Sequence, residues 1–459
     1  MASINAALAQ VKRHHSLTLD SKVILQFALA LDHSWRERQL GPAQTVQLFI
    51  LQVLHGNSSI NGLRRLTPIA FTDSAYVQAR QRLPVQLFRD LLQWVNKQAS
   101  ARMLIQRGDD SQLFHGHRVY LLDGSSASMP DTAPLQAFFG QPSGPKPGCG
   151  FPSAHLLYLI DLATGMILDI VISPLFTHDL SHAGSTHAKL QAGDLLLNDR
   201  AFSSFGHIAV IHSKKMHILT RLHQHMQVPA ADPRPATRRA RQGGKIQRQT
   251  LRRTQTFIRR YPIQEDVLTT WQKPRRPPAW MTRTDYALLP DQLTVRLVTY
   301  VVNSPGSRTR RITLVTTLID AVKYPAKQLA ALYQRRWEIE GHLRELKTTM
   351  KMDVLRTKTV DGVTKELLVY AMAYNLVRLK MLEAAKRQGV AVERVSFIDA
   401  LRWLSQNHGA QELQILIVNP DRPGRPQPRA VKRRPKPYKL LTEPRKDWLE
   451  RVVQQGKAA

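Results

Sequence analysis

Cysteine is almost absent from the 459 residues of this chain, since Cys149 is the only one. A disulfide within the chain and a zinc site built on paired cysteines are therefore excluded. Long apolar runs are also missing, because the best one, residues 155–172, is interrupted by Asp161 and Asp169. The N-terminus lacks the apolar core of a signal peptide. These absences predict a protein of a reducing, cytoplasmic compartment.

Acidic residues are scarce relative to basic ones. The chain has 34 Asp and Glu against 66 Lys and Arg, which gives a formal net charge of +32 and a pI near 10.7. A polyanion is the natural partner for such a charge, and nucleic acid is the first candidate. Aromatic residues make up only 7%, but 43% of the residues are hydrophobic, which allows a packed core. The length suggests about two to four domains.

Residues 1–112 are predicted to form a helical DNA-binding domain. Apolar periodicity indicates helices at residues 23–31, 43–54, 60–66, 74–83 and 85–99. Short helices separated by turns are typical of helix-turn-helix-like units. The fourth helix carries side chains suited to a DNA groove, namely Ser74, Tyr76, Gln78, Arg80 and Arg82. The alternative is a purely structural domain, since many small helical domains bind nothing.

A mixed pattern of strands and helices follows in residues 113–221. Its order is strand, strand, strand, helix, strand, helix, strand, at residues 119–122, 155–160, 166–172, 181–190, 194–197, 205–212 and 217–220. This order predicts an α/β fold with a ribonuclease-H-like mixed-sheet core, in which the first and fourth strands are neighbours. Asp123 and Asp199 directly follow the apolar runs of these two strands. We therefore expect the two carboxylates to lie close together. After the first strand, a polar loop is expected as far as residue 152.

Two adjacent carboxylates repel each other unless a proton or a cation lies between them. Oxygen ligands of this kind suit Mg²⁺ or Mn²⁺. Taken alone, each Asp has a simpler interpretation as a turn or helix cap, and we expect Asp161 to cap its hairpin loop. The histidines lack a companion ligand pattern for zinc, and ordinary surface or loop roles are expected for His178, His182 and His187.

Residues 325–356 are predicted to form one long helix with a distinctive face. At about 100° per residue, an arc of roughly 60° contains Tyr333, Arg336, Glu340 and Lys347. The other two acids of the segment project to the opposite side, so Glu340 is the acid that stands among cations. The alternative is an exposed helix stabilised by ion pairs. Because Asp123 and Asp199 are expected to bind a metal ion, Glu340 is better interpreted as a third oxygen ligand of that ion.

Three motifs resemble those of the DDE transposases of the bacterial insertion sequence 4 family. They are Leu121-Leu122-Asp123-Gly124, Asn198-Asp199-Arg200-Ala201-Phe202 and the spacing Tyr333-x2-Arg336-x3-Glu340-x6-Lys347. The stretch Tyr374-Asn375-Leu376-Val377-Arg378 is also similar to that of family members. Ala201 departs from the pattern, since many members carry Gly there. The resemblance is weakest in the N-terminal segment and between the second Asp and the Glu.

The resemblance implies a DNA transposase that cleaves the ends of its insertion sequence and joins them to target DNA by two-metal phosphoryl transfer. Asp123, Asp199 and Glu340 would be the catalytic residues and the ligands of two Mg²⁺ or Mn²⁺ ions. The residues implied to bind DNA phosphates are Tyr333, Arg336, Lys347 and Arg200. Family members work as dimers that bring two ends together. We therefore expect a homodimer on DNA, associated with a bacterial nucleoid.

The remaining segments are predicted from composition and from the same resemblance. Residues 222–324 are expected to form a β-rich basic insertion, with strands at 286–289, 294–302 and 312–317. The helical second part of the core would follow at 325–410. A cation-rich run at 234–260 and a Pro-rich basic tail at 411–459 suit DNA phosphates, with simple solvated segments as the alternative.

Trp271 and Trp280 of the insertion flank several cations, and either could stack on an unpaired DNA base. Packing in the core is the simpler role for both. Two other functions fit the same residues. A metal-dependent nuclease of the same fold would share the three acids but would not join strands. A non-catalytic DNA-binding relic of a transposase would need only the positive charge, and the intact acids argue against it.

Overall fold

The computed structural model describes the protein at residues 19–104, 113–142, 150–223, 234–235, 262–302, 311–353, 355–405 and 443–454. Most of the cation-rich run at 234–260 and of the basic tail at 411–459 lies outside these residues, as does Cys149. Among the residues described, no helix is both long and apolar enough to cross a membrane.

Five helices form the N-terminal region. They are α1 (Ser21–Ala30), α2 (Pro42–Leu54), α3 (Ile60–Arg65), α4 (Asp73–Arg82) and α5 (Val85–Leu104). Side chains of Asp20, Ser59 and Thr72 accept hydrogen bonds from backbone N–H groups in the first turns of α1, α3 and α4. These N-caps explain where the three helices begin. The five predicted helices are confirmed, with α5 longer than its apolar pattern indicated.

The side of α4 that faces solvent differs from the prediction. Tyr76 is fully buried, and the guanidinium of Arg80 lies 4.7 Å from the ring centroids of both Phe49 and Tyr76. Tyr76 therefore packs the helices together, and its assignment to a DNA groove was wrong, whereas Arg80 is only half-buried. Gln78 and Arg82 are exposed, as predicted. Because α4 has few apolar residues, the ring of Tyr76 and the side chain of Arg80 supply much of its packing against the other helices.

One nine-stranded mixed sheet forms the centre of the protein, in the order β3-β2-β1-β4-β5-β9-β8-β7-β6. The strands are β1 (Val119–Ser128), β2 (Ser153–Asp161), β3 (Ile167–Pro174), β4 (Leu195–Asn198), β5 (His217–Arg221), β6 (Arg234–Pro235), β7 (Ile263–Gln272), β8 (Gln292–Val301) and β9 (Arg311–Thr316). β1 is antiparallel to β2 and parallel to β4, which is parallel to β5. The first five strands thus have the predicted ribonuclease-H-like arrangement, with the first and fourth strands adjacent.

β1 is longer than its apolar run. The predicted strand ended before Asp123, but the observed strand continues to Ser128, where it still pairs with Ser153 of β2. A short helix, α6 (Ala133–Phe139), follows within the stretch that was predicted to be a loop. The prediction was wrong because a Gly/Ser-rich sequence has little strand propensity of its own, whereas nine consecutive pairs with β2 stabilise it here.

The strands of the insertion join the same sheet. β9 is antiparallel to β5 on one side and to β8 on the other, so the insertion extends the core sheet without a break. The strands predicted at 294–302 and 312–317 are confirmed. The one predicted at 286–289 is wrong, because residues Arg283–Ala287 form a short helix, α9. Thr282 caps that helix by accepting a hydrogen bond from the Asp285 N–H group.

Helices cover both faces of the sheet. On one face lie α7 (Asp179–His187) and α8 (Phe205–Ser213), and on the other lie α5 and the 29-residue α12 (Val360–Gln388). The Asn375 amide of α12 accepts a hydrogen bond from Ile167 N–H and donates one to Ile167 C=O, both at 2.8 Å. This amide therefore continues the hydrogen bonding of the β2–β3 hairpin. The hairpin loop itself is capped by Asp161, as predicted.

The segment predicted to form one long helix is irregular. It consists of α10 (Ala326–Gln334), a 3₁₀ turn (Arg335–Trp337), α11 (Glu338–Arg344) and a π-helical turn (Glu345–Thr349). The prediction of a continuous α-helix to residue 356 was wrong, since a chain that alternates between 3₁₀, α and π turns keeps an apolar pattern close to that of an α-helix. Two more helices, α13 (Phe397–Ser405) and α14 (Arg445–Gln454), complete the described chain.

Two histidines are buried against each other between α7 and α8. His207 Nδ1 lies 2.9 Å from the Phe202 carbonyl oxygen, so it carries the proton and leaves Nε2 as an acceptor for His187 Nε2–H, 3.1 Å away. Burial lowers the pKa of His207 to about 4. The expectation of surface or loop roles was therefore wrong for His187, which is 2% exposed. Sequence spacing within one helix could not reveal a partner 20 residues away.

We predict that Asn375→Leu destabilises the fold by about 2–3 kcal/mol, because it leaves the buried Ile167 N–H group without its acceptor and removes one of the two donors, Asn375 and Asn96, to the Ile167 carbonyl oxygen. Urea unfolding followed by circular dichroism measures the change. Gln388→Ala, at an exposed position near the end of the same helix, should leave the midpoint where it is. Equal unfolding midpoints for the two variants would contradict the role assigned to Asn375.

The fold should also lose stability in mild acid. The pKa of His207 is lower in the folded state than in the unfolded state. The free energy of unfolding is therefore highest above pH 6.5, where His207 is neutral in both states, and it falls as the pH drops toward 4. We expect a loss of about 2 kcal/mol between pH 7 and pH 5 from this residue. Urea unfolding at several pH values should show that the free energy of unfolding depends less steeply on pH in His207→Gln than in the wild type. His212→Gln, at an exposed site on the same helix, should keep the wild-type slope.

Candidate active site

Backbone register brings the two predicted aspartates together. Leu122 of β1 and Asn198 of β4 are neighbours in parallel strands, and each is followed directly by its aspartate. One oxygen of each carboxylate accepts a hydrogen bond from a nearby backbone N–H group, at 2.9 Å for Asp123 and 2.7 Å for Asp199. The bond of Asp199 caps a 3₁₀ turn. Asp199 can therefore cap this turn and lie beside Asp123 at the same time.

The electrostatics of Asp123 reflect crowded negative charge. Burial raises the pKa of Asp123 to about 6, and the carboxylates of Asp199 and Asp179 act in the same direction. Arg336 and the Gly124 N–H group oppose them. Desolvation and like charge both disfavour the ionised form, and a cation bound between the aspartates would remove that penalty. The donor chemistry therefore fits a divalent metal ion.

Arg336 connects Asp123 to the third predicted acid. Its Nη1 atom lies 3.6 Å from Asp123 Oδ2, and its Nη2 atom lies 3.8 Å from Glu340 Oε1. The side chain is buried, and its guanidinium stacks 4.5 Å from the ring centroid of Trp337. Its Nε atom has no hydrogen-bond acceptor among the described residues. One guanidinium thus holds Glu340 near Asp123 and keeps unused hydrogen-bonding capacity.

Tyr333 lies near Arg336 and Asp199, and Lys347 contacts β1. Burial raises the pKa of Tyr333 to about 12, so the phenol remains a hydrogen-bond donor at neutral pH. Lys347, on the π-helical turn, donates from Nζ to Ser125 Oγ at 3.2 Å. Ser125 is two residues from Asp123 and therefore on the same side of β1. Burial lowers the pKa of Lys347, a sign that the ammonium lies partly out of water.

Glu340 is the least constrained of the three acids, because 56% of its side chain is exposed. Within the described chain, no three side chains among His, Cys, Asp and Glu are close enough to form a ready-made metal site. Arg336 accounts for this, since it lies between Asp123 and Glu340. The three acids would converge once Glu340 turned from Arg336 toward the aspartate pair.

The remaining predicted phosphate ligand, Arg200, lies in the 3₁₀ turn that Asp199 caps, with its side chain exposed. Six of the seven predicted site residues therefore surround the end of β4 and the middle of β1, and Arg200 lies at the margin. The other two acids of the signature segment point elsewhere. Glu338 pairs with Arg335 at 2.7 Å, and Glu345 accepts a hydrogen bond from Tyr374.

Sequence reasoning missed several residues beside the site. Trp337 is 57% exposed next to Arg336, and only its position directly after the arginine signalled it. Asp179 approaches from α7 over Gly124, where a Cβ atom would lie 2.5 Å from Asp179 Oδ1. This contact explains the glycine after Asp123. Trp271, by contrast, is buried and packs on Phe205, in line with the simpler role expected for it.

The chain is similar in sequence to known transposases. The family described as "Transposase DDE domain" matches residues 114–376. Transposase InsG for insertion sequence element IS4 of Escherichia coli is 35% identical over 152 residues, which cover 29% of this chain and 34% of that relative. A chain of the piggyBac transposase synaptic complex with hairpin DNA is 10% identical with a TM-score of 0.40, and the match covers 87% of this chain and 79% of that one. The chain belongs to the transposases that share this DDE domain.

Proposed function

We propose that this protein is a DNA transposase that cleaves the ends of its insertion sequence and joins them to target DNA. The observation that carries the proposal is that Asp123 lies beside Asp199 in the strand register and shares the buried Arg336 with Glu340. A protein that only bound DNA would gain nothing from acids at the centre of its phosphate-binding surface, since they repel phosphate.

Asp123, Asp199 and Glu340 are the residues that would hold Mg²⁺ or Mn²⁺. When bound, two such ions would activate a water molecule or a 3′-hydroxyl and stabilise the leaving oxygen. The chain contributes the positions of the acids. The parallel strands fix the two aspartates, whereas Glu340 must exchange its contact with Arg336 for one with the aspartate pair.

The cations of the site are suited to the phosphates beside the scissile bond. Arg336, once released from the acids, presents a planar fork that fits two phosphate oxygens, and its unpaired Nε atom faces no competing acceptor among the described residues. Lys347 provides a point charge that Ser125 orients. Tyr333 donates a neutral hydrogen bond, and Arg200 reaches phosphates farther along the strand.

Trp337 extends the site toward the bases. Its ring is more than half exposed and lies against Arg336, the residue proposed to hold the phosphate. Exposed aromatic rings bind unpaired bases by stacking. We therefore transfer the stacking role from Trp271 and Trp280 to Trp337.

The N-terminal helices would bind the ends of the element. A cavity of about 1240 Å³ lies beside α3 and α4, and the charged residues of its wall are all arginines: Arg38, Arg64, Arg65 and Arg82. Asn61 and Gln78 line it as well. Arg, Asn and Gln are the side chains that most often read base edges. Joining two ends needs two such proteins, so dimerisation on DNA is part of the proposal.

Conservative replacement of the acids should abolish the reaction without loss of DNA binding. We expect Asp123→Asn, Asp199→Asn and Glu340→Gln to lower the rates of end cleavage and strand joining by at least about 10³-fold. Labelled DNA carrying the ends of the element, with a target plasmid and Mg²⁺ or Mn²⁺, reports both products. Glu338→Gln, which changes an acid of the same segment that faces away, should stay within a fewfold of wild type.

The same assay separates the alternatives. Metal-dependent cleavage without joining would identify a nuclease of the same fold. DNA binding with no product at any metal concentration would identify a non-catalytic relic and refute the proposal.

Removal of the Trp337 ring should lower the rate of cleavage less than removal of an acid does. We expect Trp337→Ala to slow cleavage by about tenfold, as loss of one stacked base implies, and Trp337→Phe to retain most of the activity. DNA with 2-aminopurine near the cleavage site would report stacking by its fluorescence. Trp448→Ala changes an exposed tryptophan of α14 and is the matched control. An unchanged fluorescence signal in Trp337→Ala would contradict the stacking role.

A further inference from the structure

A second cavity, of about 850 Å³, lies where the N-terminal helices meet the start of α12. Its wall combines side chains of α2 and α4 with residues 356–362 and Lys365. The basic residues of the wall are Arg80, Arg356, Lys358 and Lys365, and the acidic ones are Asp73 and Asp361. The excess of positive charge points to an anionic ligand.

Arg80 is held in place as a binding group. Its guanidinium lies 4.7 Å from the ring centroids of both Phe49 and Tyr76, and its Nη1 atom lies 3.4 Å from Gln52 Oε1. Its Nε atom is buried and has no acceptor in the described part of the chain. The contacts with the two rings thus hold the guanidinium in place, and its Nε–H group remains available as a donor.

Lys365 places a second positive charge close to the first. Its side chain is 3% exposed, and Nζ donates to the backbone oxygens of Arg80 and Gln81 at 3.2 and 3.0 Å. Burial lowers the pKa of Lys365, the Asp361 carboxylate opposes this shift, and the charge of Arg80 adds to it. Two like charges in a poorly hydrated place are unfavourable unless an anion joins them.

The acids nearby form no ion pair with Arg80 or Lys365 among the described residues. Glu366 is buried next to Lys365 in sequence, but its oxygens accept hydrogen bonds from Asn57 Nδ2, Arg356 N–H and the Thr357 hydroxyl. Asp73 forms its ion pair with Arg64, at 3.6 Å, and Asp361 is exposed. Among the described residues, neither Arg80 nor Lys365 has a carboxylate partner within ion-pair distance.

We propose that this cavity binds a phosphate group between Arg80, Lys365 and the first turn of α12. That turn contributes N–H groups at the positive end of a long helix, behind its cap Thr359. A fork-shaped guanidinium, an ammonium and backbone N–H groups are the donors that phosphates select. The site contains none of the carboxylates of the active site and needs no metal ion.

The position of the cavity favours a phosphate of the DNA backbone. From Asp123 to Ser128, β1 covers roughly 17 Å, and Thr132, just beyond it, donates a hydrogen bond to the Lys358 carbonyl oxygen at 3.2 Å. DNA that leaves the acids along β1 would thus reach this cavity. This source of the phosphate rests on the proposed function, whereas the phosphate site itself does not.

Two measurements on the full chain, both without divalent metal, test the proposal. The first is thermal unfolding in inorganic phosphate against sodium chloride of equal ionic strength. We expect phosphate to raise the Tm of the wild type and of Lys386→Gln, which changes an exposed lysine at the other end of α12. We expect no such increase in Arg80→Gln or in Lys358→Gln combined with Arg80→Gln.

The second measurement is the affinity for duplex DNA as a function of salt. We expect Arg80→Gln to weaken binding by about tenfold and to reduce the slope of log K against log salt by roughly 0.9 for each phosphate that the variant no longer binds. Because Arg80 also packs against two rings, Lys358→Gln alone, at an exposed position, provides a variant that should fold normally and show a smaller change in the same direction.

The outcomes distinguish the possibilities. Stabilisation by phosphate that Arg80→Gln removes, with an unchanged DNA slope, would support the site but assign it to a free phosphate or a nucleotide. Equal stabilisation of wild type and Arg80→Gln by phosphate, with equal DNA slopes, would overturn the proposal. Neither measurement scores cleavage, so failure here and failure of the proposed transposase activity are separate results.

Discussion

The parallel pairing of β1 with β4 is the constraint on which the site depends. Two half-buried carboxylates would separate if their chains were free to move, since nothing in their own chemistry attracts one to the other. The backbone hydrogen bonds that pair Leu122 with Asn198 hold Asp123 and Asp199 together regardless of that repulsion. The stability of the sheet is therefore what keeps unfavourable charge concentrated at one place.

α12 connects the parts of the protein that the site needs. Near its start, Glu366 fixes the chain that leaves the signature segment and contacts Asn57 of the N-terminal region. Farther along, Tyr374 reaches Glu345 on the π-helical turn, and Arg378 donates to the Thr164 carbonyl oxygen of the β2–β3 hairpin loop. The family-like stretch at 374–378 is thus structural. Its polar residues position other elements, and within the described chain none of them is hydrogen-bonded to Asp123, Asp199 or Glu340.

Much of the fold could be predicted from apolar periodicity, because the N-terminal helices and the strands around β4 and β5 bury one clear face or both. The site acids were predictable for the same reason, since each aspartate follows an apolar run. The second half of β1 was not predictable, because its serines form a strand only by pairing with β2. The roles of Tyr76, Arg80 and His187 were not predictable either, as each depends on residues distant in sequence.

The unbroken sheet has a consequence for the shape of any long ligand. Neighbouring strands are rotated by about 20–25° on average, so the eight steps from β3 to β6 accumulate roughly 160–200°. With such a twist the two edges of this one sheet would face in nearly opposite directions, although β5 and β9 are joined by regular hydrogen bonds. A straight rod cannot lie along all nine strands. A double helix in contact with both the core and the insertion would have to bend around the protein or be gripped as two separate segments.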